Sequence, residues 1–260
     1  MVFAAGASAG TITISGNGDY RAGSGGEFNV KAADLDGQAL LGGLLSSGYV
    51  TTNGTSVGTA DGTLMNPGFG GLVGFQTFCV EYNEYITLPG TYEATISAGA
   101  IYGGVAGGVD PDGPGGLPST DLISVGTAYL YSQFATGALA SQGYTYTNGA
   151  ARANSAVMLQ QAIWYLEDEI SLSDTQKTAN TFLTGTFGAI TLFGDGTGVG
   201  VGGAKAASDG AYNVKVLNLG GTAPNQKQDQ LIMTVPDSGV TIALLGLGLG
   251  GVAFLRRRFA

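Results

Sequence analysis

Short runs in which apolar and polar residues alternate, each closed by Gly, Asn or Asp, recur along the chain and limit what it can fold into. Thr11-Ile12-Thr13-Ile14, Phe28-Asn29-Val30-Lys31, Tyr92-Glu93-Ala94-Thr95-Ile96 and Tyr212-Asn213-Val214-Lys215-Val216-Leu217 each set their apolar side chains on one side of a pleated strand. They predict half-buried β-strands. Residues 75–82, with Phe78 and Val80 around Cys79, and residues 230–235 are further strand candidates. The punctuation comes from 47 glycines in 260 residues, which follow no every-third spacing and so exclude a collagen helix. Hydrophobic residues make up 44% of the chain, too many for a disordered protein and enough for a core.

Helical periodicity is confined to the middle. Ile123, Leu130 and Phe134 fall at helical intervals within 121–139, and Ala156, Leu159, Ile163, Leu166 and Ile170 recur at alternating steps of three and four within 152–169. Ser173 with Gln176 forms a capping box that opens a shorter helix through about residue 183. The expected fold is mainly β with a helical insertion, an α+β ectodomain of sandwich or barrel-like form over residues 11–234. Its length suits one larger domain or two small ones. The Gly-rich stretches 103–116 and 194–203 read as surface turns.

Charge and missing residue types remove whole classes of function. Ten bases against 19 acids give a formal net charge of −9, which argues against nucleic acid as a partner. The chain has no histidine, so Ser-His-Asp and Cys-His triads and the common histidine zinc sites are absent. Cys79 is the only cysteine and cannot form an internal disulfide. Gly198, Gly200 and Gly203 spell G-x-G-x-x-G, but the residues that follow do not open a helix to receive a phosphate. Asp34-Leu35-Asp36-Gly37 and Asp110-Pro111-Asp112-Gly113 start like calcium loops without continuing as one, and read as Asx turns. The acids Glu81/Glu84 and Glu167/Asp168/Glu169 read as solvated faces rather than a glycosidase dyad. No metal or cofactor is called for, and without a convergent catalytic set the chain reads as something other than an enzyme.

The two ends carry addressing signals. Val235-Pro236-Asp237-Ser238-Gly239 precedes an uncharged apolar run at 240–255, and Arg256, Arg257 and Arg258 follow it. This order predicts a single C-terminal transmembrane helix, short for a bilayer, held with its basic end in the cytoplasm by the positive-inside rule. Residues 235–260 resemble the VPDSG-CTERM variant of the PEP-CTERM sorting tails of diderm bacteria. The resemblance implies recognition by an exosortase, a membrane cysteine transpeptidase, which cleaves near 236–239 and passes the ectodomain to another envelope molecule. Pro236 keeps Val235 out of the α region, so the motif is expected as an extended strip. At the other end Ala7-Ser8-Ala9 is a signal-peptidase type of site, and residues 1–10 read as the remnant of a longer signal peptide. Before Val240 stand seven bases against 19 acids, a formal −12 that suits an exported acidic ectodomain.

Two segments in the ectodomain point to chemistry. Phe78-Cys79-Val80 sets the cysteine between apolar residues, and Leu159-Gln160-Gln161-Ala162-Ile163-Trp164 sets a glutamine four residues before the single tryptophan on the strongest predicted helix. Over residues 75–170 these resemble the thioester domains of bacterial surface adhesins. The resemblance implies that Cys79 supplies the sulfur, Gln160 the acyl group, and Trp164 and Phe78 the shielding of the bond. Gln161 is the alternative acyl donor. The chemistry requires neither histidine nor metal: a thiolate attacks the glutamine carboxamide, ammonia leaves, and an acyl group activated toward amines remains. Gln160 and Trp164, at i and i+4, share a helix face, so the acyl group can be kept beside an indole and away from water. The expected function is covalent attachment to amine-bearing partners at the cell surface. The alternative is a passive structural protein of an extracellular matrix or biofilm, in which Cys79 only packs.

Overall fold

The computed structural model describes residues 9–22, 25–42, 74–101, 120–147, 149–187, 203–208, 210–220 and 227–234. Residues 1–8, the Asp110 to Gly113 string, the loop glycines 198 and 200, the sorting motif, the predicted span 240–255 and Arg256–Arg258 lie outside them. Among the described residues no helix is long and apolar enough to cross a membrane.

Six strands form one antiparallel sheet: β1 (Gly10–Ala22), β2 (Gly25–Ala32), β3 (Gly74–Thr77), β4 (Gly90–Ser97), β7 (Val214–Leu219) and β8 (Lys227–Met233). Their order is β3-β2-β1-β4-β7-β8. The alternating runs fold as their pattern requires, with Ile12 and Ile14 opposite Ala32 and Val30, and all four fully buried. The outer strands then approach each other. Beyond β3 the chain stays extended; Cys79 bridges Gln230, Val80 donates its N–H to Asp229 O at 3.0 Å, and Leu231 donates to Phe78 O at 3.0 Å. The sheet is thereby nearly closed into a barrel, which removes most of the unpaired edge. Strands β5 (Gly99–Ile101) and β6 (Thr120–Leu122) form a separate small pair.

Helices cover the sheet. α1 (Leu35–Gly42) packs near β1 and β2, and α2 (Val125–Ala135), α3 (Ala150–Leu166), α4 (Asp174–Ala179) and α5 (Thr181–Phe187) make up the predicted insertion. Burial of β2 is almost continuous, polar Glu27 included, because helices cover what would otherwise be its solvent side. Phe134 of α2 sits at the centre of an aromatic cluster, with ring centroids 4.9 Å from Phe78, 5.1 Å from Tyr144 and 5.7 Å from Tyr146. Each such buried ring contributes about 1.5–3 kcal/mol. The Tyr131 hydroxyl adds a bond to Gln76 O at 3.0 Å, fixing α2 against β3.

Several boundaries differ from expectation for local reasons. Tyr212 and Asn213 take positive φ in a short turn, so the strand expected from 212 starts at Val214. Thr120–Leu122 is strand, and α2 waits for Ser124, whose side chain caps it by accepting from Thr127 N. The Ser173/Gln176 capping box forms, but Asn180 leaves the helical region and its side chain accepts from Phe182 N at 3.1 Å, dividing one expected helix into two. Helix α3 stops at Leu166 because Asp168 adopts φ 60°, which leaves Ile170 outside the helix. At Asp34-Leu35-Asp36-Gly37 the Asp34 carboxylate accepts from Gly37 N at 2.7 Å and starts α1, a helix the alternation did not predict.

Candidate functional site

The closure of the barrel and the helix laid over it bring Cys79 against Gln160, both fully buried. Cys79 Sγ lies 3.2 Å from Gln160 Oε1 and donates to it. The same oxygen accepts the backbone N–H of Gly26 at 2.9 Å and that of Cys79 at 3.3 Å. Gln160 Nε2 donates to Cys79 O at 2.9 Å. Three donors around one end of the amide and a carbonyl at the other fix which atom is oxygen. The carboxamide is thus clamped with its oxygen facing the thiol and two backbone N–H groups. That is the arrangement that stabilises an oxyanion when a nucleophile adds to a carbonyl.

Two adjacent glycines make this approach feasible. Gly26 has φ 135°, a region that side-chain-bearing residues rarely enter. At Gly25 an added Cβ would collide with Trp164 Cζ2 and stand 2.9 Å from Gln160 Cγ, so only a glycine lets β2 pass under the indole. Trp164 is itself buried, and Tyr82 meets it edge-on with centroids 4.9 Å apart. Tyr82 is 44% exposed, so this pair of rings runs from the buried indole out to the surface. Phe78 packs on Phe134 of α2, in the aromatic cluster.

An ion pair holds α3 in register with β2. Arg152 and Glu27 are both fully buried and joined through two guanidinium nitrogens, Nε at 3.0 Å and Nη2. Tyr144 Oη donates to Glu27 at 2.9 Å, and Arg152 also reaches Tyr146 O at 2.8 Å and Gln76 Oε1 at 3.2 Å. Glu27 follows Gly26 directly, and Arg152 precedes Gln160 by eight residues on one helix.

Of the acids expected as solvated faces, Asp168 is exposed, whereas Glu81 and Glu169 are buried. Glu81 is 1% exposed; its Oε2 accepts from Asp229 N at 2.9 Å, and its Oε1 is buried without a hydrogen-bond partner. Glu169, also buried, accepts from Tyr82 N at 2.8 Å, and Glu167 accepts from Ser124 N and Oγ. The left-handed turn at Asp168 folds Glu167 and Glu169 back onto the sheet and α2 instead of exposing them. Burial, followed by the charges of Asp229 and Glu84, pushes the Glu81 carboxyl well above its ordinary range. Burial also pushes the Cys79 thiol well up and Glu81 adds to it, while the N–H groups of Gly26 and Cys79 and the Trp164 side chain pull the other way. Among the described residues no three acids or thiols are set to hold a metal ion.

Of the residues singled out from sequence, the structure brings together Cys79, Gln160 and Trp164. Gln161 is only partly buried. Gly25, Gly26, Glu27, Arg152 and Glu81 were missed as parts of the site. The glycines carry no signal that separates them from 45 others, and Glu81 shows itself only as the residue two beyond Cys79 on an extended segment.

Comparison with protein families matches the VPDSG-CTERM motif over residues 234–259. No curated protein and no solved structure matches the chain. The motif is a sorting signal of the exosortase type, and it marks the chain as an extracytoplasmic, cell-surface protein.

Proposed function

We propose that this exosortase-sorted protein builds an internal thioester between Cys79 and Gln160 and uses it to attach covalently to amine-bearing molecules at the cell surface. The observation that carries the reading is the clamp on Gln160: sulfur at 3.2 Å from the carbonyl oxygen and two backbone N–H groups on that oxygen. Attack of the Cys79 sulfur on the Gln160 carboxamide carbon puts negative charge on Oε1, where the Gly26 and Cys79 N–H groups stabilise it. The C–N bond then breaks and ammonia leaves. A primary amine from a partner attacks the same carbon, the C–S bond breaks, and the partner is held by an amide at Gln160. Cys79 is released as a thiol. One chain makes one such bond, so the device binds and does not turn over.

The burial of the pair supports this reading, because an acyl thioester survives only where water is kept away. Trp164 and Tyr82 supply the cover. The exosortase supplies the envelope location, and the apolar run at 240–255 the membrane anchor before processing.

Intact-mass measurement on the full-length chain tests it. The expected mass is lower by one ammonia, regained as one added methylamine after exposure to that amine, with no deficit in Cys79→Ala. A full mass, with a Cys79 thiol that alkylates in the unfolded chain, would sink the proposal and leave a passive matrix protein with a buried Cys–Gln contact.

A further inference from the structure

Thioester formation requires a proton to leave the Cys79 sulfur and another to reach the departing nitrogen of Gln160, and the chain has no histidine to carry either. Among the described residues, backbone groups supply the hydrogen bonds to the Gln160 carboxamide apart from that of the thiol itself. A carboxylate is the remaining side chain able to move a proton here. Glu81 lies two residues beyond Cys79 on the extended segment, and its charge is felt at the sulfur. One of its oxygens is held by Asp229 N, and the other is buried and unused. No structural hydrogen bond accounts for that second oxygen, and burying it unpaired costs about 1–3 kcal/mol.

We propose that Glu81 is the proton carrier of the Cys79–Gln160 acyl transfer, an inference that rests on the thioester reading. In formation, the Glu81 carboxylate takes the proton of the Cys79 thiol as the sulfur adds to the Gln160 carbon. It returns that proton to Nε2 as the C–N bond breaks, so that nitrogen leaves as ammonia and the carboxylate is restored. In attachment the order reverses. The incoming amine loses a proton to Glu81 as it adds, and Glu81 protonates the sulfur as the C–S bond breaks.

The groups around Glu81 fit this role. Facing it are Cys79 and Glu84 on its own segment, Asp229 on β8 and Glu169 beyond α3, all acids. Lys227 bears on Glu84 from β8. Burial raises the carboxyl and the thiol together. Glu84 is only partly buried, and one of its oxygens is buried without a hydrogen-bond partner.

Kinetics of methylamine incorporation into the full-length chain decide the matter, at fixed concentration of unprotonated amine across a range of pH. The wild-type rate is expected to rise with pH to a plateau set by Glu81. Glu81→Gln, which keeps the shape and the acceptor for Asp229 N, is expected to slow incorporation by roughly 100-fold or more and to flatten the profile. Glu84→Gln, at a half-exposed position, removes a neighbouring negative charge and is expected to move the midpoint to lower pH while keeping the plateau. The carrier role is overturned if Glu81→Gln reacts at the wild-type rate with an unchanged profile. Should that variant not fold, an unmoved midpoint in Glu84→Gln overturns it instead. Absence of the ammonia deficit in the wild type itself is a different result, and removes the thioester reading on which the role stands.

Discussion

Gly26 donates its backbone N–H to the side-chain carbonyl of Gln160, 134 residues further along, at 2.9 Å. The bond joins the first residues of β2 to the middle of α3 and makes a strand backbone part of the chemistry of a helix side chain. Replacing Gly26 by Ala forces a side chain into φ 135° at a cost of about 1–3 kcal/mol, and turns the N–H away. Gly25→Ala leaves the backbone angle alone but drives a methyl into Trp164 and costs about 1–3 kcal/mol as overpacking. Urea denaturation measures both losses. Intact mass is expected to show the ammonia deficit abolished in Gly26→Ala and reduced in Gly25→Ala.

The neighbouring glutamines should separate cleanly. Gln160→Ala removes the partner of three donors and of Cys79 O in a fully buried place, and is expected to cost about 2–4 kcal/mol together with all mass deficit. Gln161→Ala, partly exposed, should stay within about 0.5 kcal/mol of the parent and keep the deficit. A deficit that follows Gln161 instead would reassign the acyl donor.

Truncating one side of the buried Arg152–Glu27 pair strands a charge. Arg152→Met is expected to destabilise by about 3–5 kcal/mol, and the double change with Glu27→Gln to recover a large part of it. Chemical denaturation of the two single variants and the double variant closes the cycle. If the double variant is as unstable as the sum of the singles, the pair is not coupled as described.

Buried acids make stability fall as pH rises, opposite to the usual behaviour of paired carboxylates. Burial lifts Glu167 from 4.5 to about 7, against the opposing hydrogen bonds of Ser124. The folded chain therefore keeps a proton that the unfolded chain has lost. That contribution is fully present below pH 4.5 and disappears as pH rises through about 7. Glu81 and Asp229, raised well above their ordinary values by burial, act in the same direction. Tm is expected to be higher at pH 5 than at pH 8, with a shallower slope in Glu167→Gln. A Tm that climbs across this interval would contradict the assignment.

The readable part of this molecule was the part governed by period. Ile12, Ile14, Phe28 and Val30 alternate and are buried as alternation demands, and the stripe from Ala156 to Leu166 lies on the helix it predicts. Cys79, Gln160 and Trp164 were named through the resemblance of their two short segments to thioester domains, not through any period in the sequence. What could not be read was everything set by closure. The contact of β8 with the Cys79 segment, which buries Glu81, joins residues about 150 apart with no local mark. The Asp168 turn that folds Glu169 inward depends on a single left-handed residue in a run of acids, where charge alone suggests solvent.

β8, which closes the barrel, is also the last strand before the sorting signal. Its final neighbour, Thr234, is held by Asn213 O through both N–H and hydroxyl, at 2.7 and 3.0 Å, and the matched motif begins at that same residue. A load applied at the sorting signal therefore enters the described fold through Thr234 and β8. Because β8 is hydrogen-bonded to β7 on one side and to the Phe78–Val80 segment on the other, a pull along its axis loads those bonds together in shear rather than peeling them singly. A load that enters through β8 is thus shared between two neighbouring strands, one of them the segment that carries Cys79.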